Sequence, residues 1–200
     1  MGKKKKIEIL MGIPCKENIE AETFLSIIKT IKTLQKMGII CDVAVSSGSL
    51  ITKNRTNLVS KFLESERFTH LLFVDSDMVF EPTDVINLIK HDKLFVNGMA
   101  KVRGGAFYNF FANMGKGDNG VTQYMPLNVK NSGLVVVDGV GLAFALIKRE
   151  LFDMIDYKRF EMVEGNSEDF MFCELCQKSG VDVYGDSSTI VGHKTHHVWY

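Results

Sequence analysis

The chain has 200 residues and a mass of 22.5 kDa, with 46% hydrophobic and 24% charged residues and 24 basic side chains against 24 acidic ones. A chain of this length buries roughly 70% of its unfolded surface, so it needs neither disulfides nor a structural metal to fold. The zero net charge argues against a nucleic-acid polymer as partner, and no apolar run reaches the ~18 residues of a membrane span. The charge is unevenly spread. Lys3 to Lys6 form a run that reads as a solvated tail, and the remainder carries a net −4.

Ile7–Met11 is predicted as a strand ending at Gly12 and Pro14. Residues 19–37 follow with Phe24, Ile27, Ile28, Ile31 and Leu34 on one helical stripe, closed by Gly38. Ile39–Val45 reads as the second strand, and a helix is expected from about Asn54 to Ser65. His70–Val74 is a continuous apolar run, the mark of a strand covered on both faces. Pro82 opens a helix ending near Lys90, and Leu94–Val96 reads as a fourth strand. This alternation implies parallel strands with helical crossovers.

Beyond Gly98 the regularity stops. Residues 103–133 are rich in glycine and aromatics and read as loops or short hairpins. Leu134–Val137 and Ala143–Ile147 look like strands, and Glu150–Ile155 and Asp169–Ser179 like helices. Val181–Tyr184 and Thr189–Val191 finish as two short strands. No pattern of a signal peptide is present in the sequence, and four cysteines (Cys15, Cys41, Cys173, Cys176) are too few for a disulfide scaffold, so the expectation is a cytoplasmic protein.

The sharpest local feature is Asp75-Ser76-Asp77 at the exit of the buried third strand. Ligands of open α/β sheets bind outside the carboxyl ends of the strands, and carboxylates two residues apart can share a divalent cation. Ser167-Glu168-Asp169 opens the late helix. Acids there cap the helix and complement its dipole, or supply a general base. His193 follows the last short strand, and an imidazole with two aspartates suits manganese; His196 and His197 are alternative ligands. Gly139 and Gly141 at a strand entry let the backbone approach a ligand, although Phe144 stands where a dinucleotide fingerprint needs its third glycine. Cys173-x-x-Cys176 lies in an apolar helical context and reads as core thiols rather than a zinc site. Phe107, Tyr108, Phe110 and Phe111 fit either hairpin packing or stacking on a sugar or base.

In order along the chain, these stretches resemble nucleotide-sugar glycosyltransferases of the GT-A fold, in particular compact family-2-like enzymes and the small transferases encoded by phages and by large DNA viruses such as chlorella viruses. Ile9–Pro14 is similar to the family's first strand, Asp75-Ser76-Asp77 to its metal-binding D-x-D, Asp138–Lys148 with Arg149 to the acceptor-side strand, and Ser167-Glu168-Asp169 to its acidic motif. His193 matches its late metal-binding histidine.

The resemblance implies an α/β/α sandwich of Rossmann type with a mixed, mainly parallel sheet. It implies one domain over 1–200, with a nucleotide-binding half to about residue 100 and an acceptor half beyond. Mn²⁺ or Mg²⁺ on Asp75, Asp77 and His193 would hold the diphosphate of a UDP-sugar. Pro14, Ser76 and Gly139 would line the donor, and Arg55, Lys101 and Arg103 would face the diphosphate. Asp169, with Glu168 beside it, would serve as base toward a glycan, glycoprotein or small-molecule acceptor, with inverting and retaining outcomes both open.

Two other readings stand beside this one. Asp75-Ser76-Asp77-Met78-Val79 also resembles the nucleophile motif of haloacid-dehalogenase-like phosphatases, with Gly185-Asp186-Ser187 as the late acidic motif. Thr189 and Ile190 stand where that family has a further acid. The third is a non-catalytic nucleotide-binding module of a larger protein.

Overall fold

The computed structural model describes residues 6–102, 107–129, 131–155 and 167–194. Arg103, His196 and His197 lie outside them. The first half alternates as expected: β1 (Glu8–Cys15), α1 (Ala21–Lys36), β2 (Ile40–Ser47), α2 (Ile51–Glu64), β3 (His70–Val74), the two-residue β4 (Met78–Val79), α3 (Pro82–His91) and β5 (Phe95–Ala100). The second half holds β6 (Phe110–Lys116), β7 (Thr122–Pro126), β8 (Leu134–Val137), β9 (Gly139–Val140), β10 (Phe144–Lys148), α4 (Arg149–Phe152), α5 (Glu168–Lys178) and β11 (Val183–His193).

The main sheet runs β2-β1-β3-β10-β5-β11-β4, with β8 paired to β11, and β7-β6-β9 form a small second sheet. β1 is parallel to β2 and β3, and β5 to β11, while β10 lies antiparallel between β3 and β5. This is the expected mixed, mainly parallel sheet. Because β10 runs against its neighbours, the loop leading into it meets the C-terminal ends of β3 and β5. Asp75 N–H donates to Ala143 O there, at 2.9 Å.

The strands alternate between two cores. Leu10, Leu71, Phe73, Ala145 and Ile147 pack with α2, α4 and α5, while Ile9, Met11, Leu72, Val74, Phe144 and Leu146 pack with α1 and α3. Burial on both faces is why β3 and β10 read as unbroken apolar runs. Cys173 and Cys176 are buried free thiols in the first core, as their surroundings predicted. No helix among the described residues is long and apolar enough to cross a membrane.

Three local expectations shift. The buried face of α1 is Thr23, Ser26, Ile27, Thr30 and Leu34, and Phe24 is 55% exposed. Small residues let α1 approach the turn after β3, where Ser26 Oγ accepts from Phe80 N–H at 3.1 Å, so packing overrides the most apolar stripe. α2 begins at Ile51 rather than Asn54, which moves Arg55 from the helix start into its second turn. The two last strands are one strand, β11, broken by a bulge between Asp186 and Ile190.

Arg149 fastens the end of α2. Its Nε donates to Phe68 O at 2.7 Å and its Nη2 to Phe62 O and Ser65 O at 2.8 and 2.6 Å. The guanidinium also lies 4.4 Å from the Phe62 ring centroid. The carbonyls of Phe62 and Ser65, at the helix end, have no further turn of helix to bond them. Arg149→Ala is expected to lower urea-unfolding stability by about 2–4 kcal/mol. Arg149→Lys should recover only part of that, because an ammonium lacks the planar fork of donors.

Candidate functional site

The C-terminal ends of β1, β3 and β5 and the entry to β10 share one edge of the sheet. The register of β1 against β3 pairs Gly12 with Phe73, which brings Pro14 level with Asp75. Below this edge Arg55 reaches up from α2. It is only 2% exposed, and each of its three guanidinium nitrogens has a partner. Nη2 lies 3.2 Å from Asp75 Oδ1 and 3.6 Å from Asp169 Oδ1, Nε lies 3.5 Å from Glu168 Oε1, and Nη1 donates to Leu142 O at 3.3 Å. One buried cation therefore gathers the first acid of Asp75-Ser76-Asp77 and both acids of Ser167-Glu168-Asp169. A role facing a diphosphate does not suit this placement, since Arg55 is already committed to three carboxylates.

Glu168 and Asp169 occupy the first turn of α5, where the helix dipole favours negative charge. Ser167, the residue before the helix, makes no side-chain cap bond. Burial pushes the Asp169 carboxyl up to about 7; Arg55 pulls it down, and Glu168 and Asp75 add to the rise. Its Oδ1 makes no hydrogen bond among the described residues. A carboxylate poised near neutrality at the cavity wall is equipped to accept a proton.

The rim is formed by Asp77 and His193. His193 Nε2 is 3.1 Å from Asp77 Oδ2, and its Nδ1 is 3.0 Å from Lys101 O. Lys194 N–H donates to Asp77 O at 2.9 Å, and Ser76 O accepts from Glu20 N–H at 2.9 Å, so the turn is tied to both β11 and the start of α1. A cavity of about 290 Å³ opens here, lined by Asp75, Asp169, His193, Lys101, Phe111 and Phe170 among others. Of the predicted site residues, Asp75, Asp77, His193, Lys101, Asp169, Glu168 and Arg55 thus come together. Gly139 stands apart: a Cβ there would lie 2.8 Å from the Phe170 ring and 3.0 Å from Tyr124, and Gly141 is the glycine facing the cavity.

The aromatic segment divides its labour. Phe110 is fully buried. Phe111 meets Phe170 edge-on at 5.0 Å, and Phe170 stacks on Tyr124 at 4.0 Å, walling one side of the cavity.

Two asparagines were not singled out from the sequence. Asn109 Oδ1 accepts from Ala100 N–H at 2.7 Å, and Asn97 Nδ2 and Asn109 Nδ2 donate to Gly141 O at 2.8 and 3.2 Å. They hold the loop that presents Leu142 to Arg55 and Asp169. An asparagine inside the apolar run Phe95-Val96-Asn97 is a signal that marks one of them.

The phosphatase-like reading requires Asp186 beside Asp75. β10 and β5 stand between β3 and β11, a separation of roughly 14 Å at the usual strand spacing. Asp186 is also fully enclosed. The geometry therefore removes the second acid that this reading needs.

No family model matches the sequence, and no curated protein matches it. Among solved structures the chain is similar to A197 from STIV, with a TM-score of 0.62, 17% identity and 97% of each chain covered. It is also similar to GalNAc-T7 in a structure with UDP, GalNAc and Mn²⁺, with a TM-score of 0.62, 11% identity and coverage of 94% of this chain and 43% of that one. At these identities the likeness establishes the fold, which is the GT-A arrangement.

Replacing Arg55 by Met would leave three carboxylates facing one another around an apolar side chain. The expected loss at neutral pH is about 3–5 kcal/mol in urea unfolding. It should shrink as the pH is lowered through and below about 7, where the buried Asp169 carboxyl takes up its proton and ceases to repel its neighbours. A loss that stays constant with pH would count against this role.

Proposed function

We propose that the chain is a metal-dependent glycosyltransferase moving a sugar from a nucleotide-diphosphate sugar, with a UDP-sugar as first candidate, to an acceptor hydroxyl of a glycan, glycoprotein or small molecule. One observation carries the reading: the Asp77–His193 pair, Asp75 and Asp169 line or rim a single cavity at the strand ends of a GT-A sheet. The neighbouring GalNAc-T7 structure, which holds UDP and Mn²⁺, supports the choice of donor and cation.

Among the described residues no three His, Cys, Asp or Glu side chains form a closed cation cage. The chemistry of the donor set nevertheless suits Mn²⁺ or Mg²⁺, with Asp75, Asp77 and His193 as the residues that would hold it. Once bound, such an ion offsets the charge of a diphosphate leaving group. Lys101, at the cavity wall, adds positive charge for the same phosphates. Arg103 keeps its place as a further candidate outside the described residues. Pro14, Ser76 and the end of β1 form the donor-side rim, and the segment from Lys101 onward supplies the acceptor side.

Asp169 takes the acceptor proton. Its carboxylate is held by Arg55 on one side and by the Leu142 N–H, which hydrogen-bonds it, on the other. Glu168 shares Arg55 and thereby fixes the first turn of α5. This assignment describes an inverting displacement. In a retaining reaction Asp169 would stay as an electrostatic partner of the donor sugar.

Thermal-shift measurements with UDP, UDP-sugars and other nucleotide-sugars, with and without Mn²⁺, are expected to show stabilisation by a uridine nucleotide only when the metal is present. Asp77→Ala should abolish the metal-dependent part. Nucleotide binding that ignores Mn²⁺ would overturn the metal assignment, and tight binding without sugar release would favour a non-catalytic module.

Asp169→Asn is expected to reduce turnover by about 10²–10⁴-fold with donor affinity nearly unchanged. In the unaltered protein kcat/KM should rise with pH along a limb centred at or below about 7, because only the ionised carboxylate accepts a proton and a bound cation shifts it downward. Asp169→Asn should lose that limb.

A further inference from the structure

β11 changes register in its middle. Tyr184, Gly185 and Asp186 pair with Val96, Asn97 and Gly98 of β5, yet the next pair is Ile190 with Met99. Ser187, Ser188 and Thr189 are therefore extra residues opposite no partner on β5. After the bulge the strand continues to Gly192 and His193, which pair with Val79 and Met78 of β4. That second pairing carries the His193 imidazole to Asp77. A β11 without the bulge would run three positions further along its neighbours, and Ile190 would occupy the place of His193.

The bulge is closed by one carboxylate. Asp186 is fully buried. Its Oδ1 accepts from Ser188 N–H at 2.9 Å and from the Ser188 hydroxyl, and its Oδ2 accepts from the Thr189 hydroxyl at 2.7 Å. His91, the last residue of α3, completes the set with Nε2 at 2.9 Å from Oδ2. Because an ionised carboxylate only accepts, Nε2 is the protonated nitrogen of His91 in this contact. On the other side Ser187 N–H and Oγ both donate to Gly133 O, at 2.9 and 3.1 Å. The hydrogen bonds hold Asp186 ionised despite its burial, with a pKa lowered to about 2. Buried charge in a strand middle is costly unless fully bonded, and here every bond goes to the bulge or to the helix behind it.

We infer that Asp186, braced by His91, is a positioning residue for His193: it holds the three-residue bulge whose length sets the register that delivers the imidazole to Asp77. This rests on the proposed metal role of Asp77 and His193, and it makes a buried group remote from the cavity a determinant of metal affinity. The pairing Asp186–Ser188–Thr189 takes the place of the phosphatase-like motif in explaining Gly185-Asp186-Ser187.

The test combines Asp186→Asn, His91→Phe and His91→Gln with His193→Ala. The readouts are Mn²⁺ affinity in the presence of UDP and the imidazole ¹⁵N shifts of His193 in metal-free protein. Asp186→Asn and His91→Phe are expected to weaken Mn²⁺ affinity about tenfold, as loss of outer partners does at metal sites. Adding His193→Ala to either should cost less than a further twofold. His91→Gln retains an N–H donor and should stay within twofold of the unaltered protein. The His193 shifts should change in Asp186→Asn and His91→Phe and hold in His91→Gln.

Full multiplicative losses in the double variants, or unchanged Mn²⁺ affinity in both Asp186→Asn and His91→Phe, would overturn the inference. Should Asp186→Asn not fold, the two His91 variants decide. If the unaltered protein itself fails to bind Mn²⁺ with UDP, the metal-site reading fails. The His193 shifts then still decide whether Asp186 positions the imidazole, with unchanged shifts overturning it.

Discussion

A single buried guanidinium governs this molecule. Arg55 is 2% exposed and has Asp75, Glu168 and Asp169 around it. Taking an arginine out of water costs several kcal/mol, and that cost is offset only when its partners surround it. The three acids have the converse problem, since carboxylates this close repel unless a cation sits among them. Each side of the arrangement makes the other tolerable. The result links α2, the exit of β3 and the first turn of α5, elements from three distant parts of the chain. The planar fork of arginine suits this task, because it addresses several carboxylates at fixed angles where a lysine would offer one point of charge.

The rest of the site is organised around that pivot by the strand that runs against its neighbours. β10 enters the sheet at the edge where β3 and β5 leave it. Its leading loop therefore passes directly over Arg55, presenting Leu142 O as a further acceptor. Asn97 and Asn109 keep that loop in place through Gly141 O. On the far side Phe111, Phe170 and Tyr124 form a wall of rings. The cavity is thus charged on one flank and apolar on the other, a combination that lets a ligand be both oriented by polar groups and sheltered from water.

Much of this was legible in the sequence, and the limits have physical causes. The run His70–Val74 advertised its buried strand because both faces are covered, and the D-x-D followed from where that strand ends. The clustering of Asp75, Asp169 and His193 was anticipated through their order along the chain. Arg55 was read with the wrong partners. Its acids at 168 and 169 are more than a hundred residues away, and no local pattern records which charge a helix residue will meet across a sheet. The α1 stripe failed for a related reason: Thr23, Ser26 and Thr30 are buried because a close helix contact needs small residues, which hydrophobicity alone does not encode. The β11 bulge was read as a gap between two strands, since its polar residues Asp186 to Thr189 satisfy one another rather than a neighbouring strand. Gly139 was read as a place where the backbone approaches a ligand or a strand, and its close neighbours are the rings of Phe170 and Tyr124.

The position of β10 also bears on how the chain can be assembled. β3 and β5 are separated in the finished sheet by a strand that lies about fifty residues beyond β5. Until that strand inserts, both edges of the gap expose unpaired backbone groups, the kind of surface that templates aggregation. The first hundred residues therefore contain most of the parallel strands but no closed sheet among them. A ribosome delivering this chain must release residues up to Lys148 before β3 and β5 can be joined, and later still before β11 covers the outer edge of β5. The long-range pairing makes for slow, cooperative folding. It also means that a gene fragment ending near residue 100 would inherit the donor-side motifs without a platform to hold them.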